Sequence, residues 1–283
     1  MSARVREKSM IAILCAGMLL CACAGSPSDS GETAADQEEY AGFVITRQDQ
    51  QTDAAEAEEI DLGTCGERLM ITEGGEYLLH GSMEGQVIID TYEDELVHLY
   101  LSGVEIDSLQ GPAISAVSAS KLIVTLVSDT ENILSDTPDY EGYEDTESCL
   151  YSAADLTING DGALSVYSYH EDGIRSKDRV KIIDGKIAVQ AKGDGIRGND
   201  GIVMKAGTVQ IQSEANGLRT VNHSVNPRGC VEISGGSIQI TSGRNGISAA
   251  SDLHIRGGRC SVYSVEEAIW AEGTKYIDEG CVE

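Results

Sequence analysis

The amino-acid sequence predicts an all-β fold, a single-stranded parallel β-helix (a solenoid) whose coils are about 22 residues long. Two observations predict it: a four-residue motif that recurs at a nearly constant step, and apolar residues that alternate at period 2 between the motifs. A unit of two strands and a glycine turn is too short to include a crossover helix, so we expect each unit to make one circuit. An antiparallel sandwich is the alternative, but it does not explain the constant step.

The recurring motif has the form Asp/Asn-Gly-Ile/Leu-Arg. It begins at Asp172, Asp194, Asn216 and Asn245 and fades at Glu267, which gives steps of 22, 22, 29 and 22 residues. The seven extra residues of the long step fall in 222–228, a polar segment with a proline, which we interpret as a surface loop. The motif therefore marks the same point of five successive coils.

Between the motifs, five positions hold apolar residues or glycine in four successive coils. They are Val180, Ile202, Val231 and Leu253; Ile182, Met204, Ile233 and Ile255; Gly185, Gly207, Gly236 and Gly258; Ile187, Val209, Ile238 and Cys260; and Val189, Ile211, Ile240 and Val262. Alternation of β-branched residues indicates strands with one inward face, which stack about 4.8 Å apart into an aliphatic core. Cys260 is therefore predicted to be a buried, inert thiol. Less regular coils precede these at 97–101, 122–126 and 156–158.

The first 23 residues are predicted to be a lipoprotein signal peptide. Arg4, Arg6 and Lys8 form a cationic region, and residues 10–20 form an apolar stretch too short to span a bilayer. The run Leu20–Cys23 resembles a lipobox, which makes Cys23 the lipidated residue; an ordinary secretory signal is the alternative. We expect the mature protein on the extracellular face of a bacterial membrane, held there by its lipid anchor.

The rest of the chain divides into two predicted parts. Residues 24–59 are acidic and lack apolar periodicity, so we predict a disordered tether, with a short apolar patch at 40–45 that could dock as a cap. Residues 60–283 form the β-helix domain. Five cysteines beyond the signal peptide are widely spread without metal-site spacing, and we expect most of them to be reduced.

The net charge of −27 excludes one class of partner and leaves three. Nucleic acid is a poor partner, because a phosphate footprint needs a basic face. Neutral ligands, divalent cations, and anions bound through local arginines remain. We expect a monomer.

Two acidic columns are candidate metal ligands. Asp172 and Asp194 open equivalent motifs, and Asp178 and Asp200 occupy equivalent positions six residues later. Carboxylates that are stacked about 4.8 Å apart repel one another, so a cation or neighbouring guanidinium groups must compensate. Ca²⁺ is one candidate, since it takes six to eight oxygen ligands. The alternative is structural: Asp-Gly and Asn-Gly pairs favour turns with positive φ, and stacked side chains can form a ladder.

Arginines and aromatic residues are the candidate carbohydrate ligands. Arg175, Arg197 and Arg219 form a column that suits the carboxylates of an acidic sugar polymer, although an ion-pair ladder is the alternative. Tyr140 and Tyr143 lie in the acidic insertion 136–147, which is either a solvated loop or a calcium-binding segment whose tyrosines stack on sugar rings. Trp270, the only tryptophan, either caps the helix end or offers an exposed platform.

Several segments together resemble one family. Ile71–Tyr77, Leu101–Ile106, Gly111–Ile114, Asp172–Arg175 and Ile233–Ile238 are similar, in the same order, to the secreted carbohydrate-binding β-helix family, whose characterised relative binds cellulose and polygalacturonic acid and resembles polysaccharide lyases. The resemblance covers about residues 60–265. It implies a right-handed helix, bound calcium, and binding without demonstrated cleavage. The arginines that follow the Asp-Gly motifs, a short C-terminal end and scattered cysteines depart from the family pattern, which leaves the ligand preference open.

The functional prediction is an extracellular, lipid-anchored, non-catalytic protein that binds cellulose or an acidic polysaccharide with calcium. A pectate-lyase-like enzyme is the first alternative, with Ca²⁺ acidifying the C5 proton and the Arg175 column supplying the base. A structural surface stalk or adhesin is the second alternative.

Overall fold

A computed structural model describes residues 38–40, 43–138, 140–142, 146–224 and 228–282. Within these residues there are 27 strands, two short 3-10 turns at Gln48–Gln50 and Leu62–Thr64, and no α-helix. The strands are β1 (Glu38–Tyr40), β2 (Phe43–Ile45), β3 (Glu58–Asp61), β4 (Arg68–Ile71), β5 (Gly75–Glu84), β6 (Gln86–Asp90), β7 (Leu96–Asp107), β8 (Ile114–Ser118), β9 (Lys121–Leu126), β10 (Glu131–Ser135), β11 (Ser148–Ser152), β12 (Asp155–Gly160), β13 (Ala163–Ser168), β14 (Asp172–Ser176), β15 (Arg179–Ile182), β16 (Lys186–Ala191), β17 (Ile196–Gly198), β18 (Gly201–Met204), β19 (Thr208–Ser213), β20 (Leu218–Arg219), β21 (Cys230–Ile233), β22 (Ser237–Ser242), β23 (Ile247–Ala249), β24 (Leu253–Ile255), β25 (Arg259–Ser264), β26 (Ile269–Ala271) and β27 (Lys275–Ile277). No helix in the described part of the chain is long and apolar enough to cross a membrane.

Three strands make one coil, and equivalent strands of successive coils pair in parallel. Face 1 contains β9, β12, β15, β18, β21, β24 and β27; face 2 contains β10, β13, β16, β19, β22 and β25. The long strands β5 and β7 run from face 1 into face 2 and join the two into one sheet. Face 3 is a separate nine-stranded sheet that contains β14, β17, β20, β23 and β26. The predicted single-stranded parallel β-helix is confirmed.

The inward columns form one continuous core, as the alternation predicts. Val180, Ile202, Val231 and Leu253 pair in register, and all four are fully buried. Leu122 and Leu156 extend this column toward the N-terminus. Cys260 pairs with Ile238 and is fully buried, and burial raises the pKa of its thiol to about 12. None of the five cysteines in the described ranges forms a disulfide.

Glycine recurs at two positions of the repeat, and the structural requirement for glycine differs between them. Gly207, Gly236 and Gly258 adopt φ between 80° and 89°, the left-handed region that favours glycine. The motif glycines do not: a Cβ on Gly217 would lie 2.3 Å from Ile240 Cγ2 and 2.5 Å from Gly246 O. The turn explanation proposed for the Asp-Gly motif is therefore replaced by close packing at the entry to face 3.

The predicted tether is wrong over residues 43–59, because these residues pack on the β-helix. We call residues 43–57 the strap. Phe43 and Ile45 are buried in a second small core with Ile183 and Val203, which point outward from face 1. Asp49 is fully buried, and β3 then pairs with β5 at the edge of face 1. The strap is held by a few separated buried residues. Because these residues do not recur at a regular spacing, apolar periodicity does not predict the strap. The proposed lipidation site Cys23 and residues 24–37 lie outside the described residues.

Candidate functional site

Two adjacent columns of outward side chains on face 2 are uncharged from β13 to β25, and we call these two columns the neutral band. In β16, β19 and β22 every second residue is exposed, because the alternate residues fill the core. The band consists of two columns in register: Ser165, Ala188, Gln210, Gln239 and Ser261, and Tyr167, Gln190, Gln212, Thr241 and Tyr263.

The absence of charge on this band is unusual for the chain. The protein contains 47 acidic and 20 basic residues, yet neither column of the band contains one. Charged residues border it instead. Lys186 and Arg259 occupy the adjacent outward column, and Lys192 and Glu214 form an ion pair at the opposite edge. The band is therefore a strip of amides, hydroxyls and aromatic rings inside a strongly acidic protein.

The band contains a shallow depression of about 310 Å³. Its lining includes Tyr167, Gln190, Gln210, Gln212, Gln239 and Thr241. A second depression continues from it toward Tyr169, which is half exposed. The glutamines present donors and acceptors on one group, and the tyrosines add an apolar ring face.

The spacing of the band suits a linear sugar polymer. Tyr167 and Tyr263 belong to one column, four strand steps apart, which places them about 19 Å from each other. Tyr263 is 65% exposed and Tyr167 is 37% exposed, so both rings can receive a sugar face. Between them, polar side chains recur about every 4.8 Å, comparable to the length of one pyranose residue. A chain that lies along the helix axis would meet a polar group at each step.

Sequence reasoning missed the neutral band, although a signal was present. The apolar alternation that predicts strands comes only from the inward residues of three segments, Lys186–Ala191, Thr208–Ser213 and Ser237–Ser242. Their outward residues are Lys-Ala-Gln, Thr-Gln-Gln and Ser-Gln-Thr, and the second and third residue of each set form uncharged columns when the repeat is aligned.

The predicted arginine column exists and lies on face 3. Arg175, Arg197 and Arg219 pair in register, and the column continues through Ser248 to Trp270. Tyr151 precedes Arg175 in the same column. Trp270 is therefore an outward, half-buried residue of the last motif strand.

Each guanidinium in the column faces a carboxylate from the preceding coil. The distances are 3.6 Å from Arg175 Nη1 to Glu147 Oε2, 3.8 Å from Arg197 Nη1 to Asp172 Oδ2, and 3.1 Å from Arg219 Nη1 to Asp194 Oδ2. The exposed fraction of the arginine side chain rises from 12% to 22% to 37% along the column. These ion pairs neutralise much of the positive charge that would otherwise be available to bind an acidic polymer.

The Asp/Asn column beside the arginines is a hydrogen-bonded ladder. Asp172 Oδ1 accepts from the Asp194 amide at 2.8 Å, and Asp194 Oδ1 accepts from the Asn216 amide at 3.0 Å. Asn216 Nδ2 also donates to Asp194 Oδ1 at 2.7 Å, and Asn245 continues the ladder with the Glu267 amide. Burial and the nearby charge of Asp194 raise the pKa of Asp172 to about 7.

The four aspartates proposed as calcium ligands do not fit that role. The oxygens of Asp172 and Asp194 are engaged by amides and arginines, and Asp200 accepts from Asn222 Nδ2 at 2.5 Å and pairs with Arg228 at 3.5 Å. In the described ranges, no three His, Cys, Asp or Glu side chains are grouped so as to hold a metal ion. Partial burial and the nearby charges of Asp155 and Asp200 raise the pKa of Asp178. Calcium itself stays a prediction, without ligands among these residues.

Tyr140 of the acidic insertion does not form the predicted sugar platform. Tyr140 is 4% exposed, its hydroxyl donates to Asp136 Oδ2 at 2.8 Å, and its ring stacks on His170 with centroids 4.1 Å apart. Both the hydroxyl and a ring face are thus engaged within the protein. Asp136 is also buried, so this start of the insertion is packed rather than solvated. Tyr143 lies outside the described residues.

Comparison with known proteins gives consistent results. A family model described as "Carbohydrate-binding domain-containing protein" matches residues 65–280. A protein of the same description from Acetivibrio thermocellus is 33% identical over 146 residues, which are 49% of this chain and 51% of that protein. The chain thus spans about half the length of this curated relative. A solved structure, described as the polysaccharide lyase-like protein from C. thermocellum, shares 30% identity with a TM-score of 0.74 and covers 76% of this chain and 89% of the other.

Proposed function

Because the chain belongs to the family of carbohydrate-binding domain-containing proteins, we propose that it binds a neutral polysaccharide along the neutral band and does not cleave it. One observation carries the proposal: two aligned columns of uncharged outward side chains contain glutamines, and one of them has the exposed tyrosines Tyr167 and Tyr263 at its two ends. Sugar hydroxyls pair with amides that both donate and accept, and pyranose faces pack on tyrosine rings.

The chemistry of the band supports binding rather than cleavage. Polysaccharide cleavage by elimination needs a base within hydrogen-bond reach of the proton that is removed. Glutamine, threonine, serine and alanine side chains supply none, and the carboxylates of Glu214 and Glu266 at one edge of the band are paired with Lys192 and Arg244. A row of uncharged hydrogen-bonding groups therefore supports binding of a polysaccharide without cleavage.

Calcium dependence is a separate expectation that comes from the family resemblance. Amides and tyrosines can bind sugar hydroxyls without a cation. Retention on a neutral glycan with and without a chelator measures the calcium dependence of binding. If the chelator abolished retention, calcium would have to bind at residues other than the four aspartates.

The proposed location is the outer surface of a bacterial membrane, with Cys23 as the lipidated residue. The lipobox-like run Leu20–Cys23 supports this proposal. Mass spectrometry of protein extracted from bacterial membranes tests it, and the expected result is a diacylglyceryl modification on Cys23. An unmodified N-terminus after cleavage at another residue would contradict it.

Affinity electrophoresis and pull-down with cellulose test the neutral band. We expect Gln210→Ala combined with Gln212→Ala to reduce retention strongly, because both columns lose their central amides. Tyr92→Ala is the control for removing an exposed polar side chain elsewhere, since Tyr92 is 74% exposed and lies between β6 and β7, away from the band. Retention that is unchanged in the glutamine double variant would reject the band as the site.

An acidic polysaccharide on face 3 is the second candidate. The specific observation in its favour is that three arginines share one column with Tyr151 and Trp270. Polygalacturonate retention that falls in Arg219→Ala, the most exposed arginine of the three, would support it. Absorbance of unsaturated products in the same incubation would overturn the non-catalytic assignment.

A further inference from the structure

Face 1 carries a polar outward surface that the strap covers. Its side chains include Thr157, Asn159 and Lys181, each no more than 3% exposed although each points away from the core. An outward row of polar side chains on a β-helix is normally solvated. Here the chain's own residues 43–57 take the place of solvent.

The strap places one carboxylate at the centre of this surface. Asp49 Oδ1 accepts from Thr157 Oγ1 at 2.6 Å and lies 3.1 Å from Lys121 Nζ, while Asp49 Oδ2 lies 3.2 Å from Lys181 Nζ. Burial by itself would raise the pKa of Asp49, but the charges of Lys181 and Lys121 and the Thr157 hydrogen bond lower it to about 2. The surface is thus built around an ionised carboxylate.

The rest of the strap is held by its oxygen atoms. Asn159 Nδ2 donates to the carbonyls of Asp49 and Gln51, both at 2.9 Å, and Tyr100 Oη donates to the carbonyl of Asp53 at 2.8 Å. The strap amides of Thr46, Asp49 and Gln51 donate within the strap. Face 1 therefore supplies donors to a chain that offers a carboxylate and successive oxygens.

The surface is locally cationic in an acidic protein. Lys181 also lies 3.4 Å from Asp155, which in turn pairs with Arg179 at 3.8 Å. Without Asp49, the three cations Lys121, Lys181 and Arg179 would face two carboxylates, Asp155 and the neighbouring Asp178. A positive site of this kind attracts carboxylates even when the net charge of the protein is −27.

We propose that face 1 is a second binding site, for a carboxylate-bearing polysaccharide, and that the strap occupies it as an internal substitute for that ligand. A polyuronate chain presents carboxylates and ring or hydroxyl oxygens at regular intervals, which matches what the strap presents. A peptide ligand would have to satisfy its amide donors within itself, as the strap does at Thr46, Asp49 and Gln51, whereas a polyuronate brings no amide donors. The inference does not rest on the neutral band, which lies on face 2.

Strap displacement is feasible because the anchors are few. Phe43 and Ile45 fix one end, Asp49 fixes the middle, and Arg47, Gln48 and Gln50 are exposed. A competing carboxylate needs to replace one ion-pair cluster and a few carbonyl contacts. Local openings of this kind expose the cleavage sites that proteases use.

Chemical rescue of Asp49→Ala tests the carboxylate site. Removing one partner of a buried ion-pair cluster leaves uncompensated lysines, so we expect a lower Tm. Sodium galacturonate should recover most of the lost Tm at constant ionic strength, whereas galactose should not, because only the acid replaces the missing carboxylate. Equal effects of the two sugars would overturn the proposal. Rescue should also disappear when Lys121→Ala is added.

Tryptic cleavage of the unmodified protein after Arg47 tests displacement. We expect polygalacturonate to raise the cleavage rate about tenfold, because cleavage follows the population of released strap, while cellulose oligomers leave it unchanged. An unchanged or slower rate with polygalacturonate would overturn the proposal, as would dimers formed by strap exchange in gel filtration. The Gln210→Ala/Gln212→Ala variant should behave like wild type in both assays, so this inference and the neutral band can fail separately.

Discussion

The neutral band on face 2 and the arginine column on face 3 occupy the same coils but use their side chains differently. On face 3 each arginine is paired with a carboxylate of the preceding coil, and the neighbouring aspartates accept backbone amides. On face 2 the glutamines between Tyr167 and Tyr263 are exposed to solvent.

The difference teaches that residue type does not by itself make a binding site. Arginine and aspartate are the residues that acidic glycans and calcium require, yet here their polar atoms mainly satisfy one another. A ligand would have to replace those contacts and would gain little net free energy. Glutamine is a less specific indicator of a binding site, but on face 2 a ligand would displace only water from its amide groups. The following predictions test this contrast, from the largest expected effect to the smallest.

Asp194→Ala should produce the largest loss of stability. It removes a carboxylate that is 2% exposed and holds the Asn216 amide and side chain together with Arg219. We expect the free energy of unfolding to fall by about 3–5 kcal/mol, since two buried donors of Asn216 lose their acceptor. Urea unfolding measures it. A loss no greater than that of Gln212→Ala would show that the ladder does not support the fold.

The pH dependence of stability should report Asp172. Its pKa is raised from 3.8 to about 7, so the folded state holds a proton that the unfolded state has already released. The free energy of unfolding should therefore fall as pH rises from about 4 to 7, by about 2–4 kcal/mol. Asp172→Asn should flatten this window in denaturant titrations. An equally steep profile in the variant would assign the slope to another group.

Removal of the terminal tyrosines should weaken sugar binding without destabilising the fold. We expect Tyr263→Ala to lower cellulose affinity about threefold to tenfold, because one ring face contributes about 0.5–1.5 kcal/mol beyond its area. Isothermal titration with soluble oligomers measures the change. A matching loss of Tm would instead show that Tyr263 acts through stability.

Arg197→Ala should have the smallest effect on neutral-glycan binding. Arg197 lies on face 3, and we expect retention on cellulose within about twofold of wild type, since distant sites act independently. The same variant should lose stability through its pair with Asp172. A marked loss of cellulose retention in the folded variant would mean that the two faces are not separate sites.

The inward half of the molecule could be predicted from the sequence. Columns such as Ile187, Val209 and Ile238 repeat because every coil must fill the same core position, and the structure pairs them in register. The register also places Arg175, Arg197 and Arg219 in one column, as the repeat indicated. Burial is a local requirement in a solenoid, so it leaves a periodic trace.

The ligand-facing half could not be predicted in the same way. Tyr140 was expected to stack on sugar, but it is buried and its ring stacks on that of His170. Asp49 has no repeat partner and is 72 residues from Lys121 and 132 from Lys181, so nothing in the sequence connects them. Such contacts occur once in the molecule and therefore produce no periodic pattern in the sequence.

The sequence by itself determined the coil length, the inward columns and the alternation that turns Gln210 and Gln212 outward, because each depends on a residue and its equivalents one coil away. Only the tertiary structure decided which outward groups are free. Arg197 and Asp172 neutralise each other, the strap covers Lys121 and Lys181, and the neutral band stays open. The physical reason is that the availability of a polar group depends on every neighbour that can satisfy it, and those neighbours come from distant parts of the chain.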